Sequence, residues 1–428
     1  QGADFIKIYN LLSREAFFAI VDEANKHGLH FAGHVPYAVS AVEASEAGQH
    51  SIEHLSGILL AASSLEEMLR EMTQEAWTNR PEGRNRPRRN STRLRRRIML
   101  ENFSPQKATA LFAHFKRNQT WQTPTMTVLR NIAFLDEPQF RDDPRLKYLP
   151  TGVKARWERS AESRSKFWKP DDYDISKQMY QKQMELVGML HRADVPLLAG
   201  SDVLNPYCLP GFSLHDELGL LVEAGLTPMA ALQTATLNPA QFLGREQEFG
   251  TVQASKLADF VLLNANPLES IDHIKMIHAV VTNGRLLDRA ALDGLLAEVE
   301  AKVKQSHLPP LPDDLKIIAP QTDVAPDVAA FSGKWAGKWA ETLDHVLVVE
   351  KIEGRTVTFI YSWGVAAAWR ITHPGYRRVT GHVDASGVLR GTMRNGAKVV
   401  YRLSPDQQSL SGEYIRDENT TIGTFKRK

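Results

Sequence analysis

The sequence predicts an α/β protein made of successive βα units and continued by an all-β domain, and three observations predict it. Over the first sixty residues short apolar runs alternate with amphipathic helical patterns, the signature of parallel strands joined by helical crossovers. Five such strand-like runs fall between Asp4 and Ser201. Beyond Ser306 to Val328, which holds five prolines, strict apolar-polar alternation with glycine-centred turns takes over, as in an antiparallel sandwich or small barrel.

The first run, Asp4 to Tyr9 (DFIKIY), reads as a strand. A helix follows from a Ser13 N-cap through Phe17, Ile20, Val21 and Ala24 on one face and stops at Gly28, where a left-handed cap is favoured. His30 to Val35 (HFAGHV) is the second strand, Val39 to Ala47 a short helix, and Ser51 to Leu55 (SIEHL) the third strand. A polar insertion then carries nine arginines between Arg80 and Arg97; without interleaved aromatics or an RNA-binding motif it reads as a solvated loop. Thr120 to Val128 is the fourth strand, a charged helical insertion runs to about Ala193, and Val195 to Ser201 is the fifth strand. Thr227-Pro228 opens a capped helix. From Gly250 short strands follow: GTVQ, Ala258 to Leu263, and Ile277 to Thr282 with an Asn283-Gly284 hairpin turn into Arg285 to Leu287. A helix then runs to about Gln305.

The 428 residues give a prior of two or three domains at ~150 residues each. Lys and Arg total 52 against 50 Asp and Glu, so the net charge of +2 offers no whole-chain case for nucleic acid or an anionic membrane as partner. With 43% hydrophobic and 24% charged residues and no apolar run near the ~18 needed to span a bilayer, a soluble chain is expected, cytoplasmic, periplasmic or secreted. Cys208 is the single cysteine, which excludes an intramolecular disulfide and any multi-cysteine metal site. The chain opens Gln-Gly-Ala-Asp straight into a strand, so a signal peptide cannot be read from it, and a missing N-terminal part is expected.

The chemistry lies at the strand ends. Lys7 is mid-strand, with Phe5 and Tyr9 on its face; in a sheet covered on both sides it would point into an interior, which is costly unless the ammonium is paired or chemically converted, and the alternative is a lysine that snorkels past the strand end to water. His34 and His54 close the second and third strands and Asp202 the fifth. In closed βα barrels the carboxyl ends of strands are where function collects. Imidazole and carboxylate are ligands that zinc accepts, and an aspartate beside metal-activated water is suited to take its proton.

The order FIKIY, GHVP, IEHL and AGSDV, followed by LHDELGLLVEAGLTPMAALQTATLNPAQFLG and GTVQASKLADFVLL, resembles the amidohydrolase superfamily in its imidazolonepropionase-like and prolidase-like branch. The resemblance covers roughly Asp4 to Leu287. It implies an incomplete (β/α)8 TIM-like barrel, strands four to eight, with the C-terminal part of a β-sandwich. It further implies that Lys7 is carboxylated and bridges two metal ions, that His34 and His54 are the ligands of strands five and six, and that Asp202 ligates a metal and acts as general acid/base. The metal implied is zinc, with manganese or iron open, and the reaction is hydrolysis of a C–N bond in a small amide, dipeptide or cyclic amide. Lactone or phosphotriester hydrolysis uses the same chemistry, and a non-catalytic fragment acting through the C-terminal β domain is the alternative of another class. The family's His-x-His pair is absent, since none of the fourteen histidines stands two residues from another, so this chain alone is expected to carry part of its metal site and little or no turnover.

The expected domains are a partial barrel at 1–249 with insertions at about 56–118 and 130–192, a sandwich portion and helix at 250–305, a linker at 306–328 and an all-β domain at 329–428. Tyr37, just after His34, and His215, beside Asp216 at the opening of a helix, are candidate substrate contacts. Glu53 should alternate to the face opposite His54 and be structural, while Tyr207 and Cys208 fall in a loop that would face substrate. A tryptophan repeat, Trp335 and Trp339, with Trp363 and Trp369, is either core or a ligand face. A homo-oligomer is left open.

Overall fold

A computed structural model describes residues 2–79, 89–305 and 308–428. Gln1, the arginines from Arg80 to Arg88 and the first two residues of the expected linker lie outside the described residues. The chain forms two compact units, Gln1–Asp143 with Ser160–Gly294, and Pro144–Arg159 with Leu295–Lys428.

The first unit opens with β1 (Phe5–Ile8), α1 (Arg14–Lys26), β2 (His30–Gly33), α2 (Ala41–Glu46) and β3 (Ser51–Glu53). The cap read at Ser13 forms, its side chain accepting from the Ala16 amide, and the structure adds a reciprocal capping box between Ser40 and Glu43 that starts the second helix two residues later than expected. The described part of the insertion is largely helical, in α3 (Ile58–Ala61), α4 (Glu66–Thr78), α5 (Arg89–Glu101) and α6 (Pro105–Arg117); the expected solvated loop at residues 80–88 lies outside the described residues. Its polar composition hid stripes of residues three and four apart that α4 and α5 turn inward, so that Leu69, Thr73 and even Arg95 are buried.

The fourth strand is shorter than its pattern suggested. β4 is Trp121–Thr123, and Met126–Ala133 is helix α7, because Pro124 and the left-handed Thr125 (φ 52°) end the strand. α8 (Thr151–Phe167) and α9 (Pro170–Arg192) follow. Val195 to Ser201 does not form a ladder strand. It meets β4 in one parallel bridge, Gln122 to Leu197, because Pro196 has no N–H with which to extend the ladder. β1 to β4 pair in sequence order, all parallel, with Ile8, Gly33, Ile52 and Gln122 in one row across the sheet. Their carboxyl ends therefore stand side by side. Helices α10 (Phe212–Glu223), α11 (Pro228–Thr234) and α12 (Leu237–Phe242) complete this part, Thr227 capping α11 as read.

GTVQ is not a strand; the small antiparallel sheet is β5 (Phe260–Leu263), β6 (Ile277–Thr282) and β7 (Arg285–Leu287), turned by Asn283 and Gly284, both at positive φ. Helix α13 is Arg289–Gln305. In the second unit, β8 (Gly333–Trp339), β9 (Leu343–Glu353), β10 (Thr356–Trp363), β11 (Gly375–Val383), β12 (Val388–Thr392), β13 (Lys398–Leu403), β14 (Ser409–Arg416) and β15 (Asn419–Arg427) close into an antiparallel barrel. Trp335 and Trp339 are buried in its core with Phe359, Tyr401 and Phe425, and Trp363 and Trp369 pack against that cluster, so the tryptophans are core. Gly412 and Gly423 leave room for the Trp339 ring, which a Cβ at either position would approach within 2.8 Å.

Candidate metal centre

Gly33 sets up the site. It ends β2 at φ 131°, and a Cβ there would lie 2.3 Å from the Ile8 carbonyl oxygen, so only glycine lets β2 run this close to β1. The His34 amide then donates to Ile8 O at 3.0 Å, and its ring lies over β1, stacked on Tyr9 at 4.5 Å. Gly33→Ala is expected to destabilise the fold by at least ~1 kcal/mol through backbone strain and to displace His34, read as a lower thermal midpoint together with weaker metal uptake.

His54 follows β3 in the left-handed region (φ 57°), as does Leu55 (φ 51°), and the His54 amide donates to Thr123 O at 2.9 Å. Strand alternation stops there. Glu53 accordingly does not face away: its carboxylate pairs with Lys7, and its Oε2 is 3.6 Å from His54 Nε2. The expectation that Glu53 lies on the face opposite His54 is thus corrected. Ligand atoms of His34, Glu53 and His54 all lie within 4.8 Å of one another, and the two imidazoles meet edge to face with centroids 5.0 Å apart. Asp202, also left-handed (φ 46°), brings its Oδ2 to 3.7 Å from His54 Nε2 and accepts from Asn205 Nδ2 at 2.7 Å.

Hydrogen bonding decides which nitrogen of His54 carries the proton. Thr125 Oγ1 donates its one hydrogen to the Pro124 carbonyl at 2.7 Å, so towards His54 Nδ1, 2.6 Å away, it can only accept. The proton sits on Nδ1 and the Nε2 lone pair faces the two carboxylates. Burial lowers the His54 pKa against the opposing pull of Asp202 and Glu53, and burial, then the charges of His54 and Lys7, lower that of His34 to about 4. Two neutral imidazoles with lone pairs beside carboxylates form a donor set that fits a divalent cation.

Of the two readings of Lys7, the structure matches the one in which it reaches water. Its side chain is 45% exposed, and Phe5 and Tyr9 on the same face are exposed as well, because among the described residues β1 has β2 as its one strand neighbour. Its charge is met by pairing with Glu53 rather than by burial. Tyr37 is half-buried; its hydroxyl accepts from Asn10 Nδ2 at 2.9 Å and its ring stacks on Trp77. His215 and Asp216, in the first turn and a half of α10, are half-buried and stand outside the cluster of His34, Glu53 and His54. Tyr207 and Cys208 turn inward, not towards a substrate: both are buried, and burial pushes the Cys208 thiol up to about 12.

Sequence reasoning missed Glu217. It is fully buried on α10 and accepts from the amides of Met126 and Thr127 (2.9 and 2.7 Å) and from Thr127 Oγ1 at 2.8 Å. It thereby caps α7 across the fold and fixes the segment carrying Thr125, the partner of His54. No local signal marks it, since its partners are 90 and 91 residues away. Burial raises its pKa to about 7 from an ordinary 4.5. Between those values the unfolded chain binds fewer protons than the folded one, so this group's contribution falls as pH rises through that window, by up to ~3 kcal/mol. The thermal midpoint of the protein relative to Glu217→Gln is expected to decline from pH 5 to pH 7.5; a constant difference would refute it.

The fold and the site together define an α/β protein with a candidate metal centre at the carboxyl ends of parallel strands. Residues 150–287 match the model of the amidohydrolase family. An imidazolonepropionase from Geobacillus sp. (strain WCH70) is 37% identical over 98 residues, 21% of this chain and 23% of that protein. One from Aeromonas salmonicida (strain A449) is 36% identical over 85 residues, 19% and 20% of the two chains. The chain thus spans under a quarter of the length of the curated relatives it matches. Among solved structures, a bottromycin amidohydrolase aligns with 71% of this chain and 59% of its own at 22% identity and a TM-score of 0.49. Residues 150–287 are thus similar to the amidohydrolase family. Asp202 lies within the matched residues, whereas Lys7, His34 and His54 precede them. Among the described residues no helix is long and apolar enough to cross a membrane.

Proposed function

We propose that the native protein is a metal-dependent hydrolase of a C–N bond in a small amide, dipeptide or cyclic amide. The observation that carries this reading is the gathering of His34, Glu53 and His54 within 4.8 Å, with the Asp202 carboxylate 3.7 Å from His54. His34, His54 and Asp202 would hold the cation, zinc first by donor type with manganese or iron as alternatives, and a carboxylated Lys7 would join them. When bound, such a cation polarises a carbonyl oxygen and brings the pKa of a bound water towards neutrality.

The chain's own residues do the rest. Asp202, held by Asn205, takes a proton from the attacking water and passes it to the leaving nitrogen as the C–N bond breaks. Thr125 keeps the His54 proton on Nδ1 and so keeps Nε2 a donor of electrons. Tyr37 lines a cavity of about 300 Å³ that also reaches His54, where its hydroxyl can meet substrate.

The test is metal content and a substrate panel on the native protein loaded with zinc, manganese or iron. Hydrolysis of N-acyl amino acids, dipeptides or cyclic amides is expected, with two ions per chain and loss of one on Lys7→Ala. Turnover confined to lactones or phosphotriesters, or one ion per chain with Lys7→Ala tolerated, would overturn the assignment.

A further inference from the structure

One face of the arginine-rich helix α5 turns towards a cavity. Thr92, Arg95, Arg96 and Met99, spaced three and four residues apart, form one stripe, and all four line the cavity that reaches His54 and Tyr37. Thr92, Arg95 and Arg96 also line a second cavity of about 1210 Å³, shared with Tyr9 and Tyr37. The arginine pair therefore stands between the strand-end cluster and the larger opening of the same unit.

Charge compensation separates these two arginines from their neighbours. Arg93 pairs with Asp171 at 3.4 Å, and Arg70 with Glu66 at 2.6 Å. Arg95 is buried, with 8% of its surface exposed, and its Nε donates to the Ser91 carbonyl at 3.3 Å; Arg96 Nη1 donates to Ser176 Oγ at 3.4 Å. Among the described residues neither guanidinium forms an ion pair with a carboxylate. Burial lowers the pKa of both, and the Arg95 charge lowers that of Arg96 further, opposed by the Asp172 carboxylate that lines the larger cavity with it. Two adjacent, largely desolvated cations facing a cavity are costly unless an anion enters it, and the planar guanidinium fork suits a carboxylate or phosphate.

We propose that Arg95 and Arg96 form an oxyanion-binding subsite that receives a carboxylate of the substrate beside the strand-end cluster. This rests on reading that cluster as the hydrolytic centre, and it narrows the substrate to small amides bearing an acidic group. The subsite is supplied by the inserted helix, not by the parallel strands, so it sets specificity without taking part in bond breaking.

The experiment is calorimetric titration of the protein with N-acetylglycine, its neutral amide and inorganic phosphate. The acid is expected to bind at least about tenfold more tightly than the amide, and Arg95→Gln and Arg96→Gln each to remove about that factor. Phosphate competing with the acid would show a general oxyanion site, and failure to compete a carboxylate-specific one. Arg117→Gln, remote from both cavities, should bind like the parent. In melting experiments the acid should raise the midpoint of the parent but not of the glutamine variants. Arg96→Lys, which keeps the charge and loses the fork, should fall between and serves if a glutamine variant does not fold. Equal binding of acid and amide, or unchanged binding in both arginine variants, would overturn the subsite. Tight acid binding without hydrolysis of any amide would instead leave the subsite standing and overturn the hydrolytic reading.

Discussion

Asp202→Asn is expected to lower kcat of the proposed hydrolase by ~10²–10⁴ when assayed at saturating metal, since general acid/base transfer contributes about that much. Asparagine keeps the shape and an oxygen that can still accept from Asn205, whose Nδ2 lies 2.7 Å from the carboxylate. What it loses is the ability to take up a proton. The left-handed backbone at φ 46° also suits asparagine as well as aspartate, so the fold should hold. Parallel measurement of kcat and of metal by mass spectrometry separates proton transfer from coordination: retained turnover would remove Asp202 from the acid/base role, and lost metal would make it chiefly a ligand.

The second large effect concerns His54. His54→Ala should weaken zinc uptake by the chain by more than ~100-fold, beyond the 10–100-fold cost typical of removing an outer partner. The reason is geometric, since Nε2 of this residue lies 3.6 Å from Glu53 and 3.7 Å from Asp202, at the centre of the donor set. Thr125→Val should show the outer-partner effect itself: it removes the acceptor that holds the proton on Nδ1, 2.6 Å away, and frees the ring to take the other tautomer. Equilibrium dialysis with zinc reads both. If Thr125→Val were as damaging as His54→Ala, the loss would reflect a collapsed segment rather than a mis-set tautomer, and its melting curve would show it.

Much of the fold was legible because local physics writes it. The Ser13 cap, the Thr227-Pro228 opening and the Asn283-Gly284 turn each depend on residues within a few positions, and each forms. Strand ends were less legible. Thr120 to Val128 has the composition of one strand, yet the break at Pro124 and Thr125 makes half of it α7, whose first amides are held by Glu217. Composition also misled at α5, where arginine suggests solvent but the helical stripe at 92, 95, 96 and 99 faces a cavity.

The sequence by itself determined the succession of βα units, the β character of the C-terminal barrel and the placing of His34 and His54 at strand ends, because periodicity, capping and turn chemistry act over one or two turns of chain. Tertiary structure alone decided that Glu53 joins the cluster and that Lys7 is exposed and paired with it, 46 residues away. It also decided that Glu217 holds α7 and that Arg95 and Arg96 face the space beside His54. Those outcomes turn on left-handed residues at strand ends and on which distant carboxylate meets which cation. Neither leaves a period in the sequence, since alternation describes a strand only as far as its last extended residue.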